Sequence, residues 1–466
     1  MSQERRSNDS VHWYMNELSS RIVADSGNPN DRFHLGKLIL QSLRDGPDFT
    51  LQIDGATDEA ESSGSVLERS IRCAIALRKK GLQKGDVLVL LAPNHIDLAI
   101  PFYAALYNGV VIAAVDRTLS IHELKATFFV DSPKLVFCQS EKASDVQIVI
   151  NELELNTEIV TFDKGDYLCS LPEFLENYDD GTTVDEFKAE DFDPEDTVAF
   201  FIATSGTTGL PKAAAVTHKN IAITSPYLCY VLLFKIIYAV FLILQPSFAI
   251  FSPTMMTTLM KPECRDQCDL SCFDIIMMGG SAVPLELVTE IKSVSPKTEV
   301  LNIYGMSELT GIAFYGDNPA PGSCGKPLGC FQYREYYKNP EATADTFAED
   351  RWFKTGDTFY RDDDWNFLFI SPVEVEAVIR HHPGVLDVAV TGIPDPECGD
   401  LAVALVVRKD GHEVNAEDIK DLVRETLSDG KQLRGGVIFV HEIPMTASTK
   451  VHRRKIKEMA LEMDKE

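Results

Sequence analysis

The sequence is short of positive charge. Its 466 residues carry 44 Lys and Arg against 71 Asp and Glu, a formal net charge of −27. Neutralising nucleic-acid phosphates requires the opposite balance, which excludes nonspecific nucleic-acid binding but not a local basic pocket for a nucleotide. Close cysteine pairs are missing as well. The ten cysteines include Cys264, Cys268 and Cys272. Without a CxxC pair or a nearby histidine, that C-x3-C-x3-C spacing reads as ordinary thiols rather than structural zinc. The start lacks an apolar leader and the last residues are not Ser-Lys-Leu. With the cysteine usage, this makes a soluble, cytoplasmic protein the expectation. Long hydrophobic runs are scarce. Only residues 227–244 approach a bilayer's thickness, and Lys235 at mid-segment, with Pro246 behind it, argues for two buried elements joined end to end rather than a membrane span.

What is present is ordinary for a globular protein: 45% hydrophobic and 25% charged residues, in a chain long enough for two or more domains. The first 60 residues are polar, with a helix expected around 35–43. Apolar periodicity then predicts a helix at 65–80, a strand at 87–92, a helix at 96–107 and a strand at 110–115. A helix capped by Ser120 follows, then short strands at 135–138 and 146–150. This alternation implies parallel β-α-β layers. Residues 163–196 read as an acidic loop. Strands at 274–278 and 300–303 flank a helix at 285–294. From 371 the pattern restarts, with helices at 372–381 and 416–427 and strands at 385–392, 401–408 and 437–440. The expectation is an α/β protein: a large N-terminal domain of layered sheets and helices (1–370) and a small α+β domain (371–466).

Chemistry concentrates at three strand ends. The apolar run 198–203 stops at Thr204-Ser205-Gly206-Thr207-Thr208-Gly209, with Lys212 close behind. Hydroxyls, close-approach glycines and a lysine point charge suit a polyanion, although the spacing is not that of a Walker A loop. The second strand runs into Gly279-Gly280-Ser281-Ala282-Val283-Pro284 and the third into Tyr304-Gly305-Met306-Ser307-Glu308. These junctions, 203/204, 278/279 and 303/304, are expected to converge at the C-terminal edge of one sheet, where ligands bind in open α/β proteins. Singly, each motif has a plain structural reading. The glycines could make a turn, Tyr304 could belong to the core, and Glu308 could start a helix.

Together with Thr355-Gly356-Asp357 and Pro444-Met445-Thr446-Ala447-Ser448-Thr449-Lys450, the three segments resemble, in order, the motifs of the adenylate-forming superfamily. That family contains acyl-CoA synthetases, 4-coumarate–CoA ligases, beetle luciferases and peptide-synthetase adenylation domains, and the resemblance runs from about residue 82 to 454. It implies that a carboxylate attacks the α-phosphate of Mg-ATP, giving an acyl adenylate that coenzyme A then captures. It also implies roles. Thr204, Ser205, Thr207, Thr208 and Lys212, with Gly206 and Gly209 in the loop, would hold the β- and γ-phosphates. Gly280, Ser281 and Ala282 would line the adenine pocket, with Tyr304 packed on the ring and Gly305 beside it. Ser307 would bond the α-phosphate, Glu308 would ligate Mg2+, Asp357 would take the ribose hydroxyls, and Lys450 would offset charge at the reacting centre.

The chain departs from the family where segments are expected within 219–274, 326–335 and 368–373. The last includes the hinge and an Asp-Arg pair. The resemblance therefore implies an ATP-dependent acyl-CoA ligase for a fatty or arylpropenoic acid, impaired by those losses. The alternatives are a non-catalytic nucleotide- or acyl-binding pseudoenzyme and a luciferase-like monooxygenase. By resemblance a peroxisomal location stands beside the cytoplasmic one.

Overall fold

The computed structural model describes residues 10–465 apart from 55–56, 164–166, 205–211, 225–247, 266–269, 316–321, 329–333, 349–351, 356, 363, 371, 396–398, 410, 428–430, 446–450, 452 and 464. The chain divides into two compact units. One comprises Met1–Val240, Ser307–Gly311 and Cys330–Phe353; the other comprises Phe241–Met306, Ile312–Gly329 and Lys354–Glu466.

The first unit is built on an eight-stranded sheet. In spatial order its strands are Glu335–Tyr336, Lys212–Thr217, Val198–Thr204, Val111–Ala114, Val87–Leu91, Leu135–Cys138, Glu158–Thr161 and Cys169–Ser170. The six strands from Val198–Thr204 to Cys169–Ser170 run parallel. Parallel strands are covered on both faces, which explains their unbroken apolar runs. Side chains alternate between two cores as the pleat requires. Leu88 and Leu90 join a cluster with Ile71, Ile100 and Phe174. Val87, Val89 and Leu91 join the opposite one with Phe128, Val146 and Phe201. Helix boundaries follow local chemistry. Ser120 and Glu123 form a reciprocal capping box before Ile121–Asp131, and Gly109, at φ +66°, closes Ala99–Asn108.

Two local expectations are corrected here. Residues 146–150 are helical, within Ser140–Glu152, because Ala143, Val146, Val149 and Ile150 fall on one buried helical face. Three of the β-branched residues that suggested a strand, Val146, Val149 and Ile150, serve that face. The segment 163–196 is not all loop. It contains the strand Cys169–Ser170 and the helix Leu171–Asn177, whose Ser170–Glu173 capping box lies inside the acidic composition.

In the second unit, Phe248–Phe251, Ile275–Met278 and Glu299–Asn302 form a parallel three-stranded sheet. A further sheet orders Phe367–Phe369, Phe359–Arg361, Gly399–Arg408 and Val385–Asp395, with Gly436–Val440 parallel to Gly399–Arg408. The expected single sheet is thereby corrected. The 278/279 and 303/304 junctions follow neighbouring strands of the three-stranded sheet, while Val198–Thr204 belongs to the eight-stranded one. Strand composition alone does not say which strands pair. Only residues 370 and 371 separate the strand Phe367–Phe369 from the helix Pro372–Ile379.

The apolar run 227–244 lies outside the described residues. Among the described residues, no helix is long and apolar enough to cross a membrane. Cys268 also lies outside them, and no cluster of three or more possible metal ligands occurs among those described.

Candidate nucleotide site

Within the second unit, a cavity of about 170 Å³ opens at the ends of Ile275–Met278 and Glu299–Asn302. Gly280, Ser281, Ala282, Tyr304, Gly305 and Asp357 all line it. The two glycines at the first strand end serve different purposes. A side chain on Gly279 would place its Cβ 2.6 Å from the Ile303 carbonyl oxygen, so glycine is what lets the two strand ends approach. Gly280 sits at φ +88°, the left-handed region that glycine occupies without strain. Together they leave a wall of backbone with small side chains, to which a flat ring can come close.

Tyr304 stands in an aromatic cluster, 4.7 Å from the ring of Phe359 and 5.3 Å from that of Phe314. Its hydroxyl donates to Asp357 Oδ2 at 2.6 Å. Burial, and then that bond, push the Tyr304 phenol well above its ordinary pKa, so it stays a donor. Asp357 is set by the turn before it, its backbone N–H donating to Thr355 Oγ1 at 3.2 Å. The structure thus brings together Gly280, Ser281, Ala282, Tyr304, Gly305 and Asp357.

Lys212, Thr204, Ser307 and Glu308 belong to the first unit. Thr204 and Lys212 face one another across an antiparallel pair, flanking residues 205–211. Ser205, Gly206, Thr207, Thr208, Gly209 and Lys450 lie outside the described residues. Ser307 and Glu308 start a short 3-10 turn, Ser307–Leu309. Glu308 is 5% exposed. Tyr336 links two of these groups. Its hydroxyl donates to Glu308 Oε1 at 2.7 Å, and its ring carries Lys212 Nζ 5.1 Å from the centroid. Burial, then the Glu308 bond, raise the Tyr336 phenol. No sequence pattern singled Tyr336 out. It reaches Glu308 because Glu335–Tyr336 adds to the sheet beside Lys212–Thr217, with Tyr336 opposite Ala214.

A family profile described as AMP-binding enzyme matches residues 41–236 and 233–334, and one described as AMP-binding enzyme C-terminal domain matches 374–450. The chain belongs to the AMP-binding, adenylate-forming enzymes. This AMP-binding enzyme is 26% identical to luciferin 4-monooxygenase of Photuris pensylvanica, over 84% of this chain and 88% of the relative. It is also 26% identical to 4-coumarate-CoA ligase 1 of Narcissus pseudonarcissus, over 92% and 94% of the two chains. The structure of ATP-bound MatB from Rhodopseudomonas palustris matches it with a TM-score of 0.64 at 21% identity, covering 92% of this chain and 99% of that one; the likeness is one of fold. The alignment with the Photuris enzyme runs over 482 positions, more than the 466 residues of this chain, so the relative has segments that this AMP-binding enzyme lacks.

Proposed function

We propose that the chain is an ATP-dependent acyl-CoA ligase activating a fatty or arylpropenoic acid through an acyl adenylate. The observation that carries the reading is the glycine-walled cavity with its Tyr304–Asp357 pair. There Gly280, Ser281, Ala282 and Gly305 receive adenine against Tyr304, and the Asp357 carboxylate accepts from the ribose hydroxyls. Thr204, Ser205, Gly206, Thr207, Thr208, Gly209 and Lys212 hold the β- and γ-phosphates, and Ser307 bonds the α-phosphate. The small domain, 371–466, contributes Lys450. Its assignment is supported by the C-terminal-domain match over 374–450.

The chemistry is a meeting of anions, so positioning and fixed positive charge have to lower the barrier. A carboxylate oxygen of the acid attacks the α-phosphorus and pyrophosphate leaves with the bonding pair. Lys450 and Lys212 offset the charge that gathers. Glu308 fits a hard-cation ligand: it is a buried carboxylate with no ion-pair partner among the described residues. Bound there, Mg2+ would supply charge compensation at the phosphates. In the second half, the thiol of coenzyme A forms the C–S bond as the C–O bond to AMP breaks.

The pseudoenzyme reading is favoured by one observation. Two residues, 370 and 371, connect strand to helix where the family resemblance leads one to expect a hinge that turns the small domain between half-reactions. Among the described residues, none favours oxygenation as in a luciferase over ligation. ATP–pyrophosphate exchange with a panel of fatty and aromatic acids reports the first half-reaction, and acyl-CoA formation the second. Acid-dependent exchange is expected, with acyl-CoA formed slowly or not at all. ATP binding without exchange would replace the ligase by the pseudoenzyme.

A further inference from the structure

Among the described residues lining the Tyr304–Asp357 cavity, Lys431 is the only basic one. Its side chain is 9% exposed, and its ammonium donates to Glu374 Oε1 at 2.6 Å and Oε2 at 2.7 Å. An ammonium has three N–H donors, so this pairing leaves a third for a ligand in the cavity. The position follows from the chain's own connectivity. Phe369 lines the cavity, and the helix carrying Glu374 in its first turn begins at Pro372. So short a connection keeps the Glu374–Lys431 pair beside the cavity. A buried ion pair is weak support for a fold, which apolar packing would serve equally well; at a cavity wall it has a use. The other lining groups suit an uncharged nucleoside, with backbone and small side chains for the ring and Asp357 for hydroxyls. Lys431 is the group suited to an anion.

We propose that Lys431 binds the phosphate of an adenylate in this cavity, with Glu374 as the counter-ion that positions it. The proposal rests on the nucleotide reading of the cavity given above. The phosphate takes the third N–H of Lys431 and is repelled by the nearby Glu374 carboxylate, so removing the charge of Lys431 and removing that of Glu374 have effects of opposite sign.

The test is equilibrium binding of AMP and of adenosine to the full chain. Lys431→Met is expected to weaken AMP roughly tenfold while leaving adenosine within about twofold, the loss of one charge-assisted contact. Lys431→Arg is expected to restore most of the AMP affinity. Glu374→Gln keeps the side-chain size and removes the repelling charge, and is expected to tighten AMP. Unchanged AMP binding in Lys431→Met, equal loss of AMP and adenosine, or no tightening in Glu374→Gln would overturn the assignment. Asp357→Ala separates the two claims. Loss of both ligands there with none in Lys431→Met removes only the Lys431 proposal; a wild-type chain that binds neither ligand removes the nucleotide reading itself.

Discussion

Asp131 shows how burial alone sets a charge state. It ends the helix Ile121–Asp131, is 4% exposed, and lines a cavity of about 140 Å³ with Lys212 and Phe201. Burial raises its carboxyl to about 7, against a smaller pull downward from Lys338. A folded-state pKa above the unfolded value near 4 means the neutral acid is the stable native form. The associated stability is complete below pH 4 and is lost as pH rises towards 7, at about 1.4 kcal/mol per unit. Asp131→Asn is therefore expected to be more stable than wild type at pH 8 and equal to it near pH 4, as read by thermal melting. Gly279 makes the corresponding point for the backbone. Gly279→Ala drives a Cβ against the Ile303 carbonyl, and should weaken AMP binding at least several-fold in a titration, because the strand ends forming the cavity must part. The Gly-Gly pair was legible as a turn; that one glycine serves chain approach and the other dihedral freedom was not, since both read alike as letters.

Among the elements, those with strong periodicity were readable from sequence. Leu285–Val294 lies where the pattern puts it, and Ser120–Glu123 marks its helix correctly. Failures came where two periods compete or composition misleads. Residues 146–150 are mostly β-branched yet helical, and Leu171–Asn177 hides in acidic sequence. Strand pairing is non-local, so the sharing of strand ends between two sheets had no sequence signal. The candidate site divides along the same line. Its glycines, Tyr304, Glu308 and Asp357 belong to recognisable motifs, whereas Tyr336 and Lys431 acquire their places only through sheet neighbours and a short connection. Helix Ile121–Asp131 offers a direct check on the packing. Phe128 is fully buried in the core beneath the sheet, and Phe128→Ala should cost about 3–5 kcal/mol in denaturant unfolding. A loss below 1 kcal/mol would mean that the helix does not pack as described.

Across the whole molecule, acid should be the weakness. His34 and His218 are fully buried in the first unit, their rings 5.3 Å apart with Phe192 against both. His34 Nδ1 accepts the Lys37 N–H while Nε2 donates to the Glu190 carbonyl, an arrangement that only the neutral ring satisfies. Burial lowers His34 to about 4, and burial followed by the nearness of His34 lowers His218 well below its ordinary value. A depressed histidine favours the fold fully above about pH 6.5 and loses that contribution as pH falls towards 4, at about 1.4 kcal/mol per unit for His34. Asp131 contributes an opposite slope over part of that window, so the test is the difference between chains: the unfolding free energy of wild type relative to His34→Gln should fall from pH 6.5 towards 4, and parallel slopes would refute the assignment. The proposed function at this scale depends on ATP. Equilibrium titration of the full chain with Mg-ATP tests the account most directly. Wild type should bind one ATP, and Asp357→Ala and Lys212→Met should each bind it at least about tenfold more weakly, a loss near 1.4 kcal/mol. Absence of binding in wild type, or wild-type affinity in both variants, would contradict it.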